Sequence, residues 1–450
     1  MASTKLSRTL GSGSATNKFT YSTWLKYSGW VAGGQRWFST VGTGDTYFRF
    51  NEDGTMEVSG HNSGAGSAGY FITNRVFDDH ASWYHIVIRF DSTESSASNR
   101  LRLYINGVQE ESFSTYTDVN QNATDNINLS GNTQIIGGTS SSQYFNGLMA
   151  QTILSIGYSY APTTFGEVST TSGEWKPKPD PSLSYGTNGF NLSYETSSAL
   201  GDDTSGNTND FTLSGSGTPT LDSPSNNFAT WNPQINNGIT GNWLNGNTTI
   251  APNGDTPNLY APVTIPVSKG KWYSEHMITG GNGHGSLGLA GASNIAGMFK
   301  INFEPGETSP SFAFKCINGS IKMNGSNTTY GSAPGTSDAI LGMAVDIDNK
   351  KVWYSINGTY VTYGGGVGNP ASGTYGFDWS SLSDDFGWLI ICGDSEVSGY
   401  GNWKSNFGNG FFGTTAVASS NADAAGHGLF EYAVPTGYYT LNTKNLNTYG

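Results

Sequence analysis

Apolar and polar residues alternate with a period of two through much of this chain. Across residues 83–90 (WYHIVIRF), Tyr84, Ile86, Ile88 and Phe90 fall on one face, the pattern of a half-buried strand. Leu101, Leu103 and Ile105 alternate with Arg102 and Tyr104, and the run stops at Asn106-Gly107. Asn-Gly is the favoured type I′ hairpin pair, because both central residues need positive φ. Residues 47–50 and 56–58 flank Glu52-Asp53-Gly54, which predicts a further hairpin. No window carries a helical period; only short turns such as 162–168 interrupt the strands.

The second half uses the same grammar. Residues 312–317 end at Asn318-Gly319, residues 320–323 at Asn324-Gly325, and residues 351–356 at Asn357-Gly358. An apolar strand over 340–347 leads into a turn at Asp348-Asn349. The Gly-rich run 280–285 lacks the Lys-Ser/Thr ending of a phosphate loop and reads as a hairpin loop. Short strands at this spacing, without intervening helices, predict an all-β chain of two antiparallel β-sandwich domains in tandem. Strand character lapses into turn formers at 221–227, so the boundary is placed there, giving domains 1–222 and 223–450. The Pro-rich stretch 175–181 reads as a long loop inside the first domain, because strand-like residues resume at 190–194.

Composition narrows the class. Charged residues make up 12% of the 450 and aromatics 13%, whereas an ordinary chain is about 25% charged. Disorder needs the opposite balance. The 62 glycines suit a protein of many tight turns. With a net charge of −13 and 21 Lys plus Arg, no basic stripe is available to displace counterions from phosphates, so no nucleic-acid partner is expected. No stretch approaches the roughly 20 apolar residues of a membrane span, so no membrane insertion is expected. The first residues lack the apolar region of a secretory signal. Cys316 and Cys392 sit in apolar runs and read as small buried hydrophobes.

Several segments resemble known modules. Trp83-Tyr84-His85-Ile86-Val87 through Leu103-Tyr104-Ile105-Asn106-Gly107, with Tyr144 to Ala150, resembles laminin-G-like, concanavalin-A-like jelly-roll sandwiches. Lys269 to Glu275 followed by Ser286 to Ala290 resembles the opening of a SPRY domain; 338–346, 352–358 and Asn406-Phe407-Gly408 resemble its later strands. The whole layout, with the tail at 432–446 (including VPTGY), is similar to structural proteins of marine bacteriophages. That resemblance implies a virion protein, assembled in the host cytoplasm and exposed on the particle, which accounts for the missing export signal.

Glycan hydrolysis needs two carboxylates, roughly 5–5.5 Å apart for retention or 6.5–9.5 Å for inversion. Asp346 and Asp348 straddle a strand end, where Asp equally serves turn formation. Glu110-Glu111 points to alternate faces. Asp346 and Asp348, and Asp202 and Asp203 with nearby Asn207, Asn209 and Asp210, are weak calcium candidates without a complete ligand pattern. The six His and two Cys are scattered, so no zinc site is expected. No Gly-x-Ser-x-Gly elbow is present. The loop 393–400, carrying Asp394, Glu396 and Tyr400, lies where SPRY-like domains present a partner-binding rim, and these three are the candidate partner or glycan contacts.

The expectation is therefore a non-enzymatic structural protein of a phage particle, a tail fibre, appendage or capsid decoration. It would bind other virion proteins, form a homo-oligomer, and hold a host-surface glycan or protein without a cofactor. A secreted or surface lectin of cellular origin is the alternative, and a polysaccharide-degrading enzyme the third.

Overall fold

Alternation fixes the core of the first half. Phe19, Tyr21, Leu25 and Tyr27 take one face of the Lys18–Tyr27 strand, and Phe48, Phe50, Met56 and Val58 take one face of the Tyr47–Phe50 and Thr55–Ser59 hairpin. These two sets meet: Tyr21 lies 5.0 Å from Phe38 and 5.1 Å from Phe48, ring centre to ring centre. The computed structural model describes residues 3–29, 31–60, 68–170, 172–235, 241–252, 259–280, 284–294, 297, 304–335, 338–394 and 401–450. Among them nearly all regular structure is antiparallel strand, as the alternation predicts. The chain divides into two compact units, 1–219 and 220–450.

The first unit is a sandwich. Its larger sheet runs, in spatial order, Phe113–Val119, Ala68–Val76, Thr55–Ser59, Tyr47–Phe50, Gln35–Val41, Thr133–Ile136, Lys5–Thr9 and Thr212–Ser214. The smaller runs Phe190–Leu192, Gly147–Ile156, Lys18–Tyr27, Tyr84–Asp91, Leu101–Ile105 and Val108–Glu110. In the second unit one sheet centres on Asn402–Asn406, Lys271–Thr279, Ile340–Asp346 and Lys351–Ile356, and the other on Trp388–Asp394, Gly285–Gly291 and Ser311–Lys315. Trp272, Leu287, Leu289, Met343, Val345 and Ile391 fill the space between them.

The Asn-Gly turns behave as their chemistry demands, with one exception. Asn106 and Gly107 have φ of 49° and 81°, Asn324 and Gly325 of 51° and 74°, and Asn357 and Gly358 of 47° and 77°. At Asn318-Gly319 only the glycine is left-handed, φ 70°. There the Asn318 side chain accepts hydrogen bonds from the Ser320 amide and hydroxyl at 3.0 and 2.7 Å, which fixes a different turn. The strands that flank the run 280–285, of which 281–283 lie outside the described residues, do not form a hairpin with each other. Lys271–Thr279 and Gly285–Gly291 pair with other strands in two different sheets. A short helix, Thr443–Tyr449, also departs from the expectation of none; Asn442 caps it by accepting from the Asn445 amide at 2.9 Å. Two turns are too few for a period to register in sequence.

In each unit a later segment folds back over the outward face of one sheet. Tyr160, Phe165, Leu183 and Tyr185 cover Val87, Tyr104 and Ile153 in the first. Phe430, Val434 and Tyr438 cover Tyr273, Ala344 and Trp353 in the second. Trp175 belongs to the first cover and packs on the Asn106-Gly107 turn, where a Cβ on Gly107 would stand 2.7 Å from its ring.

Gly107→Ala therefore meets both a left-handed backbone and the indole. Gly131, at φ 85°, has nothing within 4 Å of a built Cβ, so Gly131→Ala isolates the backbone term of about 1 kcal/mol. Urea midpoints should show Gly107→Ala costing about 2 kcal/mol or more. Equal losses in the two variants would mean that the Trp175 cover yields freely.

Candidate functional site

The outward face of the larger sheet in the first unit carries polar and charged side chains, and no aromatic cluster among the described residues covers it. Alternation places Arg36, Tyr47, Arg49, Glu57 and Tyr70 there, because Trp37, Phe38, Phe48, Phe50, Met56, Val58 and Phe71 take the core side. Register brings them together: Arg36 pairs with Arg49, Arg49 with Glu57, and Ser59 with both Tyr47 and Tyr70. Glu57, 2% exposed, accepts from Arg49 Nε at 2.9 Å and Nη2 at 2.5 Å on one oxygen, and from the Tyr47 hydroxyl at 2.6 Å on the other. The Arg36 guanidinium lies 3.9 Å above the Tyr47 ring. Its buried Nε has no hydrogen-bond partner.

The electrostatics follow from that packing. Burial, then the Glu57 carboxylate, pushes the Tyr47 phenol up to about 12, so it stays a donor. Burial also lowers the Arg36 guanidinium from its ordinary value. The result is a half-buried surface of two planar cations, two phenols and one engaged carboxylate. Such a surface offers hydrogen-bond donors and flat apolar faces together, which suits a polyhydroxylated or planar polar ligand.

The residues singled out from sequence fall elsewhere. Asp394 ends the Trp388–Asp394 strand, paired with Leu259 and Gly285; Glu396 and Tyr400 lie outside the described residues. Asp346 accepts from the Asn349 amide and side chain at 2.9 and 2.8 Å and pairs with Lys271 at 3.1 Å. Asp348 accepts from the Gly270 amide at 3.1 Å. The two share a turn without converging on a common point. Asp203 accepts from the amides of Asn191, Ser205 and Asn209 and from the Ser205 hydroxyl, organising its own loop. Asp202 is exposed. No group of three or more His, Cys, Asp or Glu among the described residues could hold a metal.

Two buried histidines look at first like activated pairs. His85 Nε2 is 2.9 Å from Ser22 Oγ, and its Nδ1 is 2.9 Å from Trp175 Nε1. An indole N–H only donates, so Nδ1 accepts and Nε2 carries the proton that Ser22 receives. A serine in that position gives nothing to the imidazole. His276 is bracketed by Ser274 and Ser405 at 2.8 Å each, with Ser405 taking the Trp231 indole proton at 2.9 Å. Burial pushes both imidazoles down to about 3. They are neutral struts.

Glu275 is a further buried acid. It accepts from the amides of Tyr432 and Glu431 at 2.8 and 2.9 Å and from the Tyr273 hydroxyl at 3.1 Å, so it ties the covering segment to the sheet. Burial pushes its carboxyl up to about 7, and those donors pull it part of the way back. Cys316 and Cys392 are both buried, and burial raises the Cys392 thiol.

Comparison with known proteins places one part of the chain. Residues 4–154 match the laminin-G family model described as the concanavalin A-like lectin/glucanases superfamily. No curated protein matches the chain. Among solved structures, the SPRY domain of human HERC1 is 13% identical, covering 39% of this chain and 96% of that one at a TM-score of 0.30. A putative carbohydrate binding protein from Bacteroides ovatus is 16% identical, covering 47% and 58% at 0.33. A pentraxin from Limulus polyphemus is 17% identical, covering 34% and 69% at 0.24.

Glu57→Gln should lower the Tyr47 phenol from about 12 without returning it to an ordinary value, since burial, the larger cause, remains; ultraviolet difference titration reads the shift. For Glu275 the folded value of about 7 exceeds the ordinary carboxylate value. The protonated form therefore favours the fold below that ordinary value, and this contribution fades as pH rises through about 7. Glu275→Gln should remove that part of the pH dependence, worth on the order of 3 kcal/mol. The difference between wild-type and variant urea midpoints from pH 5 to pH 8 measures it, and parallel curves would contradict the assignment.

Proposed function

We propose that this protein is a non-enzymatic structural protein of a phage particle, two sandwich modules in tandem, which binds virion partners and a host-surface glycan or protein. The open face of the larger sheet in the first unit is its contact surface. One observation carries the binding reading: Arg36, Tyr47, Arg49 and Tyr70 stand on a sheet face that no aromatic segment among the described residues covers, although a face is covered in both units. The match of residues 4–154 to a superfamily of lectins and glucanases supports binding of sugar by this unit. Against hydrolysis stands the state of the acids: Glu57 is engaged by Arg49 and Tyr47, Asp346 by Lys271 and Asn349, and Glu275 by backbone amides. The particle setting is supported by the resemblance of the layout and of the tail at 432–446. Repeated copies on a particle would turn weak single-site binding into avidity.

A panel of polysaccharides tests the reading on two axes. Binding by biolayer interferometry should fall about tenfold, about 1.4 kcal/mol, in Arg36→Ala and in Tyr70→Ala. Reducing-sugar release should stay at background for every polysaccharide that binds. Turnover abolished by Glu57→Gln would make the protein a hydrolase, and proteomics of purified phage particles that never contain it would defeat the particle setting.

A further inference from the structure

The smaller sheet of the first unit holds a second cluster that its stability does not call for. Arg89 and Arg102 are direct cross-strand partners in Tyr84–Asp91 and Leu101–Ile105. Both point outward, because Ile88, Phe90, Leu101 and Leu103 take the core. Like charges placed opposite one another weaken an antiparallel pair. In a chain with 21 Lys plus Arg among 450 residues, two of them are set in register on one face.

Arg89 makes no ion pair among the described residues, and Arg102 makes a long one. Arg89 makes one side-chain hydrogen bond among the described residues, Nε to the uncharged Ser159 hydroxyl at 2.5 Å. Arg102 donates to the Asn99 carbonyl at 3.2 Å and the Tyr104 hydroxyl at 3.4 Å. Its Nη2 pairs with the Glu94 carboxylate at 3.8 Å, a long ion pair without a hydrogen bond, whose acid is 33% exposed. Asp91, on the same face, is taken by Lys18 at 3.0 Å and by the Thr93 hydroxyl.

Aromatic surface lies beside the pair. Ser159 is flanked by Tyr158 and Tyr160, whose rings stack 5.8 Å apart at 17°. Thr20, the cross-strand partner of Arg89 on its other side, pins that segment: its hydroxyl donates to the Tyr158 carbonyl at 3.1 Å and accepts from the Tyr160 amide at 2.8 Å. Tyr160 is fixed further by the Ser184 amide, which donates to its hydroxyl at 2.9 Å. Tyr158 remains 43% exposed.

We infer that Arg89 and Arg102, with Tyr158 and Tyr160 beside them, form a subsite for an anionic sugar. Its carboxylate or sulfate supplies the counter-charge that Arg89 lacks and a closer one than Glu94 gives Arg102, and its ring lies against Tyr158. Guanidinium forks match such oxyanions in a bidentate manner, and the partly buried setting strengthens the pairing over that in water. The choice of a sugar rests on the glycan-binding reading above; the arginine geometry does not, and it lies on the other sheet from Arg36 and Tyr47.

The full chain is titrated with oligogalacturonate, with its methyl-esterified counterpart, which keeps the sugar and removes the charge, and with inorganic sulfate. Wild type should bind the acid at least tenfold more tightly than the ester. Arg89→Gln and Arg102→Gln should each erase most of that preference, and Arg75→Gln, a charge removed elsewhere, should not. Tyr158→Ala should weaken the sugar and leave sulfate stabilisation unchanged. Without ligand, the Arg89→Gln and Arg102→Gln proteins should melt no lower than wild type, because each relieves a like-charge pair; a purely structural role would lower both. Equal affinity for acid and ester overturns the subsite. So does binding of the acid that is lost in Arg36→Ala but untouched by Arg89→Gln and Arg102→Gln, a result that leaves the glycan-binding reading standing. Failure to bind any glycan, charged or neutral, overturns both.

Discussion

A sheet face rich in Val, Ile, Ala and aromatic residues cannot be left to water, and a chain with 12% charge has few ions with which to soften it. Much of the structure follows from that constraint. Val87, Tyr104 and Ile153 in the first unit, and Tyr273, Ala344 and Trp353 in the second, point away from the main cores. Each unit answers by laying a later stretch of its own chain across them. The covers bring aromatic rings, and they also trap polar groups, which must then be satisfied internally. His85 between Ser22 and Trp175, and Glu275 beneath the amides of Glu431 and Tyr432, are the outcome.

The same logic sets off two clusters of arginine in the first unit. Arg36 and Arg49, with Glu57, lie on the face that no described aromatic segment covers, and Arg89 and Arg102 lie on the covered sheet beside Tyr158 and Tyr160. Both clusters pair arginines across strands. In the first, Glu57 joins Arg49 directly and Tyr47 stacks beneath Arg36. In the second no carboxylate comes within hydrogen-bond distance of either arginine. The first holds a close, hydrogen-bonded ion pair, and the second only the long one between Arg102 and Glu94.

Local signals were the legible ones. Period-2 alternation and Asn-Gly pairs act within a few residues, so the strands at 84–91 and 101–105 and the turns at 106–107 and 357–358 could be read directly. The connection of Lys271–Thr279 to Gly285–Gly291 could not, because a glycine-rich run precedes a hairpin partner and a strand of another sheet alike; only the pairing of the strands tells them apart. The helix at 443–449 left a single trace, the capping Asn442. The candidate surface was hidden for a different reason. Tyr47, Arg49 and Glu57 are visible as outward positions, but their meeting with Arg36 and Tyr70 depends on sheet order. Glu275 shows the limit most plainly, since its partners lie 156 and 157 residues away.

The arrangement of acids also explains why a fold shared with glucanases need not hydrolyse. A hydrolytic pair requires one carboxyl that holds a proton near neutrality and another that stays ionised, with the bond to be broken lying between them. Glu275, pushed up to about 7, has the proton affinity of a general acid, yet Glu431 and Tyr432 close over it and its side chain is buried. Glu57 lies on an open face, but both its oxygens are already engaged, by Arg49 and by Tyr47. Asp346 and Asp348 share a turn and face different partners. Glu275 has the affinity but lacks access, and Glu57 lacks a free oxygen. What the face around Glu57 does offer is fixed donors and flat rings, in Arg36, Arg49, Tyr47 and Tyr70.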